Sequence, residues 1–304
     1  MKYIRNFVIG LNNDGPRRLR WWSGSVLLVL ALLTAHAIAP HGLWGTQSPQ
    51  QLAATSMLLV FLSALLCEYL DSSLGMGYGT TLTPILLLAG FAPLQIVPAI
   101  LLSEAVTGLA AGLFHQRDGN VDFLRDARAR RTALLLICLS ALGAVAAVAL
   151  AIRLPGNWLG LLISGVIVAM GILILVTMRR PLRFSSGGIV AIGGLAAFNK
   201  GVSGGGYGPL VTAGQVVSGL PAKHAVAITS VAESFTCIVG LGAYLAMGKS
   251  IDFSLAVPLL LGAILSVPLA TLTVRRLPEN AIRASVGALT LLLGILALLK
   301  VASA

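Results

Sequence analysis

The chain has 304 residues, of which 57 % are hydrophobic and only 10 % charged, with a formal net charge of +11 and a mean hydropathy of +0.93. A soluble globule carries about 25 % charged residues, so this chain cannot clothe itself in polar surface and reads as an integral membrane protein solvated by lipid. The same figures exclude a disordered chain, a secreted disulfide scaffold and a nucleic-acid binder. The three cysteines, Cys67, Cys138 and Cys237, sit singly in apolar runs and read as buried thiols.

The basic segment 1–22 leads into a first apolar run at 23–39. Ala37-Ile38-Ala39 resembles a signal-cleavage site, but Pro40 would follow the cut and makes it a poor one, so the run is read as a retained N-terminal helix. Next comes a stretch at 52–90 interrupted by glycines, then apolar runs at 94–114, 132–152 and 157–178. A second interrupted stretch covers 187–219, followed by runs at 222–247, 253–274 and 281–299. Most of the uninterrupted runs approach the ~20 residues that cross a bilayer as helix. The arms of the second interrupted stretch, 187–200 and 208–219, are too short to span well alone.

Lys and Arg set the orientation. Residues 1–22 hold Lys2, Arg5, Arg17, Arg18 and Arg20, and residues 115–131 hold Arg117, Arg125, Arg128, Arg130 and Arg131. With Arg179, Arg180, Arg183, Lys223, Arg275, Arg276 and Arg283, 17 of the 21 basic residues fall on one side, the cytoplasmic one. Arg153, Lys249 and Lys300 fall opposite, and Lys200 lies within the membrane. The N-terminus is therefore expected inside, the loop 40–51 outside, and the basic excess faces the cytoplasmic leaflet. This parity works if 52–90 is a re-entrant hairpin entering from outside and 187–219 one entering from the cytoplasm. Three full crossings within 52–114 satisfy it equally, and the first arm, 52–71, is long for half a hairpin.

A shift of 129 residues lays Asp71–Gly108 on Lys200–Cys237. Gly75, Gly77, Tyr78 and Gly79 fall on Gly204, Gly206, Tyr207 and Gly208; Thr83, Gly90, Glu104 and Thr107 fall on Thr212, Gly219, Glu233 and Thr236. Apolar bias does not align glycines, a tyrosine and two intramembrane glutamates. Three crossings between the hairpins invert the second copy, and inverted repeats with broken helices are the architecture of secondary transporters. The expected fold is all-α and integral to the membrane: residues 1–50 as a cytoplasmic segment with an extra transmembrane helix, then repeats at 51–180 and 181–304. Each repeat comprises a re-entrant or broken hairpin plus about three transmembrane helices.

The candidate site follows from the glycine runs 75–79 and 201–208, each of which opens a short helix. A helix N-terminus offers free N–H groups and partial positive charge to an anion, and missing side chains let the ligand approach the backbone; packing alone is the competing reading. The expected substrate-binding set is Gly75, Gly77, Tyr78, Gly79, Thr80, Asn199, Lys200, Ser203, Gly204, Gly205, Gly206 and Tyr207. Lys200 either meets the substrate anion or pairs with Asp71, its repeat mate. Glu104, Glu233, Asp71 and Glu68 form the expected coupling set, since four ionised acids against one lysine repel an anion unless protons or cations accompany them. His115 and His224 read as surface residues. No metal site and no cofactor are expected.

At "GMGYGTTLTP", "GVSGGGYGPLV" and the downstream glutamate helices the sequence resembles the sulfite exporter TauE/SafE family, also grouped as toluene-sulfonate uptake permeases, over about residues 50–300. The first copy departs from the glycine-rich form, with Leu74 and Met76 opposite Ser203 and Gly205. The resemblance implies a multispan carrier of sulfite, organosulfonates or related small anions, without an enzymatic cofactor. The expected function is a secondary transporter exporting a small sulfur-containing anion, coupled to protons, in the bacterial inner membrane. Its expected partners are that anion, the lipid bilayer and a second copy of the chain as a homodimer. The alternatives are a cation-coupled carrier of a small carboxylate or other anion and, from another class, an intramembrane serine protease using Gly201-Val202-Ser203-Gly204 with His224 as base.

Overall fold

The computed structural model describes residues 49–179, 186–217, 220–274 and 279–303. Among them lie ten helices and no strand. In chain order these are α1 (Pro49–Leu74), α2 (Tyr78–Leu88), α3 (Pro93–Arg117), α4 (Ala127–Ala151), α5 (Gly156–Arg179), α6 (Ser186–Ser203), α7 (Tyr207–Val217), α8 (Ala222–Ala246), α9 (Phe253–Thr273) and α10 (Glu279–Ala302). Seven of the helices, α1, α3, α4, α5, α8, α9 and α10, are long and apolar enough to cross a membrane. The protein is an all-helical, multi-pass membrane protein. The expected helix at 23–39 lies outside the described residues, as do Arg180, Arg183, Gly219, Arg275 and Arg276.

The two interrupted stretches each fold as one long and one short helix. α1 has 26 residues and α6 has 18, against 11 each for α2 and α7. At 1.5 Å per residue the long arms reach about 39 and 27 Å and the short ones about 16 Å. The first arm is thus long for half a hairpin, with residues enough to cross, yet it ends at the glycine turn that meets the second turn. Its partner α2 is too short to cross, which removes three full crossings within 52–114. α4 begins at Ala127, five residues before the apolar run, because Asp126 caps it, accepting from the backbone N–H of Arg128 and Ala129. Its first turns therefore carry arginines that reach toward the interface while the helix goes on into lipid. In the preceding loop, the backbone N–H of Arg125, the Gln116 amide and the N–H of Leu124 hold the partly exposed Asp122 carboxyl below its ordinary range.

Positions 129 apart occupy matching places. α2 and α7 start 129 residues apart, as do α3 and α8, and each pair is equal in length. The principal packing follows the same exchange: α1 lies along α9 and α6 along α4, while α3 meets α9 and α8 meets α4. α3 packs on α8, and α5 on α10. α3 and α8 run antiparallel, with Leu101 beside Gly240 and Gly112 beside Val231. Where they cross, the Ser234 hydroxyl donates to the carbonyl of its own mate, Ala105, at 2.6 Å.

Leucines at 113, 142, 261 and 292 are exposed on the outer faces, as a lipid-solvated surface requires. Cys138 shares that outer surface, on α4, and only Cys67 and Cys237 are buried. An apolar run in a membrane has a lipid side as well as a core side, so apolar neighbours do not imply burial.

Helix contacts depend on absent side chains. A Cβ on Gly79 would coincide with the Gly204 carbonyl, whereas one on Gly242 meets nothing within 4 Å. Gly79→Ala is expected to cost at least about 3 kcal/mol, the upper range of overpacking. Gly242→Ala should be neutral or stabilise by up to about 1 kcal/mol through helix propensity. Thermal unfolding in detergent of both variants measures the contrast.

Candidate functional site

Both long arms end in the same backbone device. The Gly75 N–H donates to Asp71 O at 2.7 Å and the Gly204 N–H to Lys200 O at 2.8 Å. Gly75 and Gly204 have φ of +65° and +71°, and Gly77 and Gly206 have +80° and +81°. Two left-handed residues in each turn reverse the chain, a conformation costly for residues with a Cβ.

The two turns are pressed against each other. The start of α2, at Gly79, lies on the carbonyl of Gly204, and the start of α7, at Gly208, lies on Gly75 and Gly77. Two threonines cross the join: Thr80 Oγ1 accepts from the Gly206 N–H at 2.9 Å and Thr83 Oγ1 donates to Ser203 O at 2.8 Å. A small cavity opens beside the first turn, between Leu74, Met76, Ile174, Pro209 and Thr212.

Against this join sits a buried ionic cluster. Lys200 is fully buried, and its Nζ donates to Glu233 Oε1 at 2.7 Å and pairs with Glu104 Oε2. The lysine therefore joins two residues that are repeat mates, one from α3 and one from α8. Asp71 is not its hydrogen-bond partner: Asp71 Oδ1 accepts from the Gly77 N–H at 2.6 Å. Glu68 accepts from Ser72 at 2.6 Å and from Thr107 at 3.2 Å. Glu104 Oε1 is buried with no hydrogen-bond partner among the described residues. Asp71, Glu104 and Glu233 can each bring one oxygen within 4.8 Å of the others, close enough for a shared cation. Lys200 already supplies a cation to both glutamates, so these residues form an internal ion cluster.

The remaining expected residues divide. Gly75, Gly77, Gly79, Thr80, Gly204, Gly205 and Gly206 come together at the join. Tyr78 and Tyr207 are buried, but their hydroxyls face Ser103 and Ser140 at 3.4 and 3.0 Å, bracing neighbouring helices. Ser203 Oγ donates to Asn199 O at 2.8 Å, and Asn199 Nδ2 lies 3.8 Å from Met170 Sδ.

His115 is not at the surface but fully buried. Its Nδ1 faces the Asn120 amide nitrogen, a donor, at 3.0 Å, which leaves Nε2 to donate to Ser72 O at 3.0 Å. The mates of those two residues repeat the contact: the Tyr244 hydroxyl donates to Gly201 O at 3.1 Å. Identity matching could not find this pair, because His and Tyr do the same work with different side chains. His224 is partly exposed, with Nδ1 4.0 Å from Asp126 Oδ2.

The model of the family described as "Sulfite exporter TauE/SafE" matches residues 59–297, which span both glycine turns and the whole ion cluster. The chain belongs to the sulfite exporter TauE/SafE family. It is also 26 % identical, over 248 residues, to "Probable membrane transporter protein YtnM" of Bacillus subtilis (strain 168), covering 77 % of this chain and 80 % of that protein. No solved structure matches. As a TauE/SafE protein the chain is a membrane transporter and not an enzyme. The protease alternative falls with that, and the Ser203 hydroxyl is engaged by its own helix.

The ion cluster makes a definite energetic prediction. Lys200→Met leaves two adjacent buried carboxylates without their cation, and breaking a buried pair costs about 3–5 kcal/mol. Stability should therefore fall by about that much at neutral pH. The loss should shrink as the pH falls and the glutamates take up protons. Lys200→Met combined with Glu104→Gln should recover part of it, whereas Lys200→Met with Asp71→Asn should recover much less. Thermal unfolding of the three variants at two pH values checks this.

Proposed function

We propose that this transporter is a secondary carrier of a small sulfur-containing anion, sulfite or an organosulfonate, exporting it across the bacterial inner membrane with protons as the coupling ion. The observation that carries the reading is a fully buried ammonium, Lys200, beside two glycine turns that present the N-terminal ends of α2 and α7. N-terminal half-helix ends and a buried cation suit an oxyanion. The family description names sulfite. The binding set is centred on the turns at 75–80 and 203–206, with Lys200 as the cation.

Protons fit the second half of the reading. If Glu68, Asp71, Glu104 and Glu233 were all ionised, Lys200 would leave the cluster at −3, which no buried site tolerates. Protons entering with the anion relieve that repulsion. The same acid excess favours a second reading, cotransport of a metal cation with a small carboxylate.

We take residues 51–180 and 181–304 as two repeats of inverted topology. The antiparallel crossing of α3 and α8 at Ala105 and Ser234 supports an exchange axis lying in the membrane plane. The N-terminus and the loop around Leu124 are then cytoplasmic. In a cysteine-free background, a cysteine replacing the exposed Leu124 should be labelled only from the cytoplasmic side.

Isotope flux in liposomes across sulfite, methanesulfonate, thiosulfate, acetate and chloride, with proton or sodium gradients, tests the function. Sulfite or sulfonate flux driven by a proton gradient is expected. Acetate flux that follows sodium would replace it with the second reading. Glu104→Gln and Glu233→Gln keep an acceptor for Lys200 but cannot release a proton. Both should lose most of the acceleration by a pH gradient, and retention of gradient-driven flux in both would make the glutamates structural.

A further inference from the structure

Asp71 and Lys200 stand at the same position of the two repeats with opposite charge. Asp71 Oδ1 accepts from the backbone N–H of Gly77 at 2.6 Å, and the Tyr78 N–H lies beside the same carboxyl, where α2 opens. The same oxygen lies 3.1 Å from where a Cβ on Gly208 would sit, beside the start of α7. A single buried carboxylate thus rests where the positive ends of both short helices converge. An exogenous oxyanion at these N–H groups would take the same place. The two cannot share it, because like charges in a water-excluded site repel strongly.

We infer that Asp71 is a tethered stand-in for the substrate: it fills the anion place in the empty carrier, and an incoming oxyanion takes over the Gly77 N–H group, beside that of Tyr78, as Asp71 leaves it and binds a proton. This rests on the anion-carrier reading above and assigns the regulation of that same site. The exchange balances. The N–H···O bond from Gly77 to the aspartate is replaced by one to the substrate, and the negative charge brought in is matched by one proton taken from water. The charged and titratable groups around Asp71 demand that match. They are Cys67 and Glu68 on α1, Tyr78 on α2, Glu104 on α3, Lys200 on α6, and Glu233 and Cys237 on α8. Acids outnumber the one cation, so an added anion without a proton would deepen the excess.

An acceptor for the displaced carboxyl is already present. Glu104 Oε1 is buried with no hydrogen-bond partner among the described residues, and the carboxylates of Glu104 and Asp71 come within 4.8 Å. A protonated Asp71 has there the hydrogen-bond acceptor that an ionised one cannot use.

Binding to the purified full chain in detergent tests the inference. Methanesulfonate is the probe, because it stays a monoanion across the working range and contributes no titration of its own. In the wild type its affinity should rise as the pH falls, by up to about tenfold per pH unit, the slope of one linked proton. Asp71→Asn keeps an acceptor for the Gly77 N–H but carries no charge. It should bind as tightly at neutral pH as the wild type does in acid, at least about tenfold better than the wild type at neutral pH, and the slope should vanish. Asp71→Glu should retain the slope. Weaker binding by Asp71→Asn, or an unchanged slope, would overturn the stand-in role while leaving the anion carrier intact. A wild-type affinity independent of pH would overturn it without any variant. Failure of the wild type to bind methanesulfonate at any pH would instead count against the anion-carrier reading and, with it, this inference.

Discussion

Two glycine turns touch backbone to backbone at the centre of this protein, and the arrangement of everything around them depends on that contact. Gly79 rests on the Gly204 carbonyl and Gly208 on Gly75 and Gly77. Side chains would hold the turns apart by the thickness of a methyl group or more. Because they are missing, the first residues of α2 and α7 converge on one small volume, and Thr80 and Thr83 can stitch the halves by single hydrogen bonds. Irregular backbone inside a membrane is tolerated only where its polar groups are satisfied by protein or line a cavity. Here each turn satisfies part of the other.

That convergence explains how the ionic cluster can exist. An ammonium buried in the membrane is costly unless charged partners surround it. α3 and α8 cross antiparallel beside the turns and deliver Glu104 and Glu233 to the same point from opposite directions. One lysine then serves both mates, although the repeat itself would supply either two cations or two anions at positions 71 and 200. The substitution of charge between those positions breaks the symmetry that the backbone preserves. One turn carries its own carboxylate, and the other contributes a cation reaching away to the glutamates.

The helical class, six of the uninterrupted spans within the described residues and the offset of 129 were all legible in the chain, because length and apolarity dictate helices in lipid and because glycines and buried acids stand out against leucine. Other features were not. His115 looked like an interfacial residue at the end of an apolar run, yet Asn120 and Ser72 enclose it. Cys138 looked like a core thiol and lies on the lipid face. In each case the run of neighbours gave the depth of the residue along its helix but not the direction of its side chain around it. The periodicity that separates faces in soluble helices is muted when both lipid and core are apolar.

The sequence by itself determined that this is a multi-pass helical protein with a repeated glycine turn, a buried lysine and four buried acids, since those follow from composition, span length and identity at a fixed offset. Only the tertiary structure decided which acid meets which donor. Asp71 and Lys200 are mates in sequence, and pairing them was a reasonable expectation. The fold instead turns Asp71 onto the Gly77 N–H at the cap of the helix that follows it and hands Lys200 to α3 and α8. The reason is geometric. A carboxylate three residues before the end of a helix can reach the free N–H groups just beyond the turn through local backbone alone. The partner of a long lysine side chain is set by how helices from distant parts of the chain cross, and no spacing along the chain encodes that crossing.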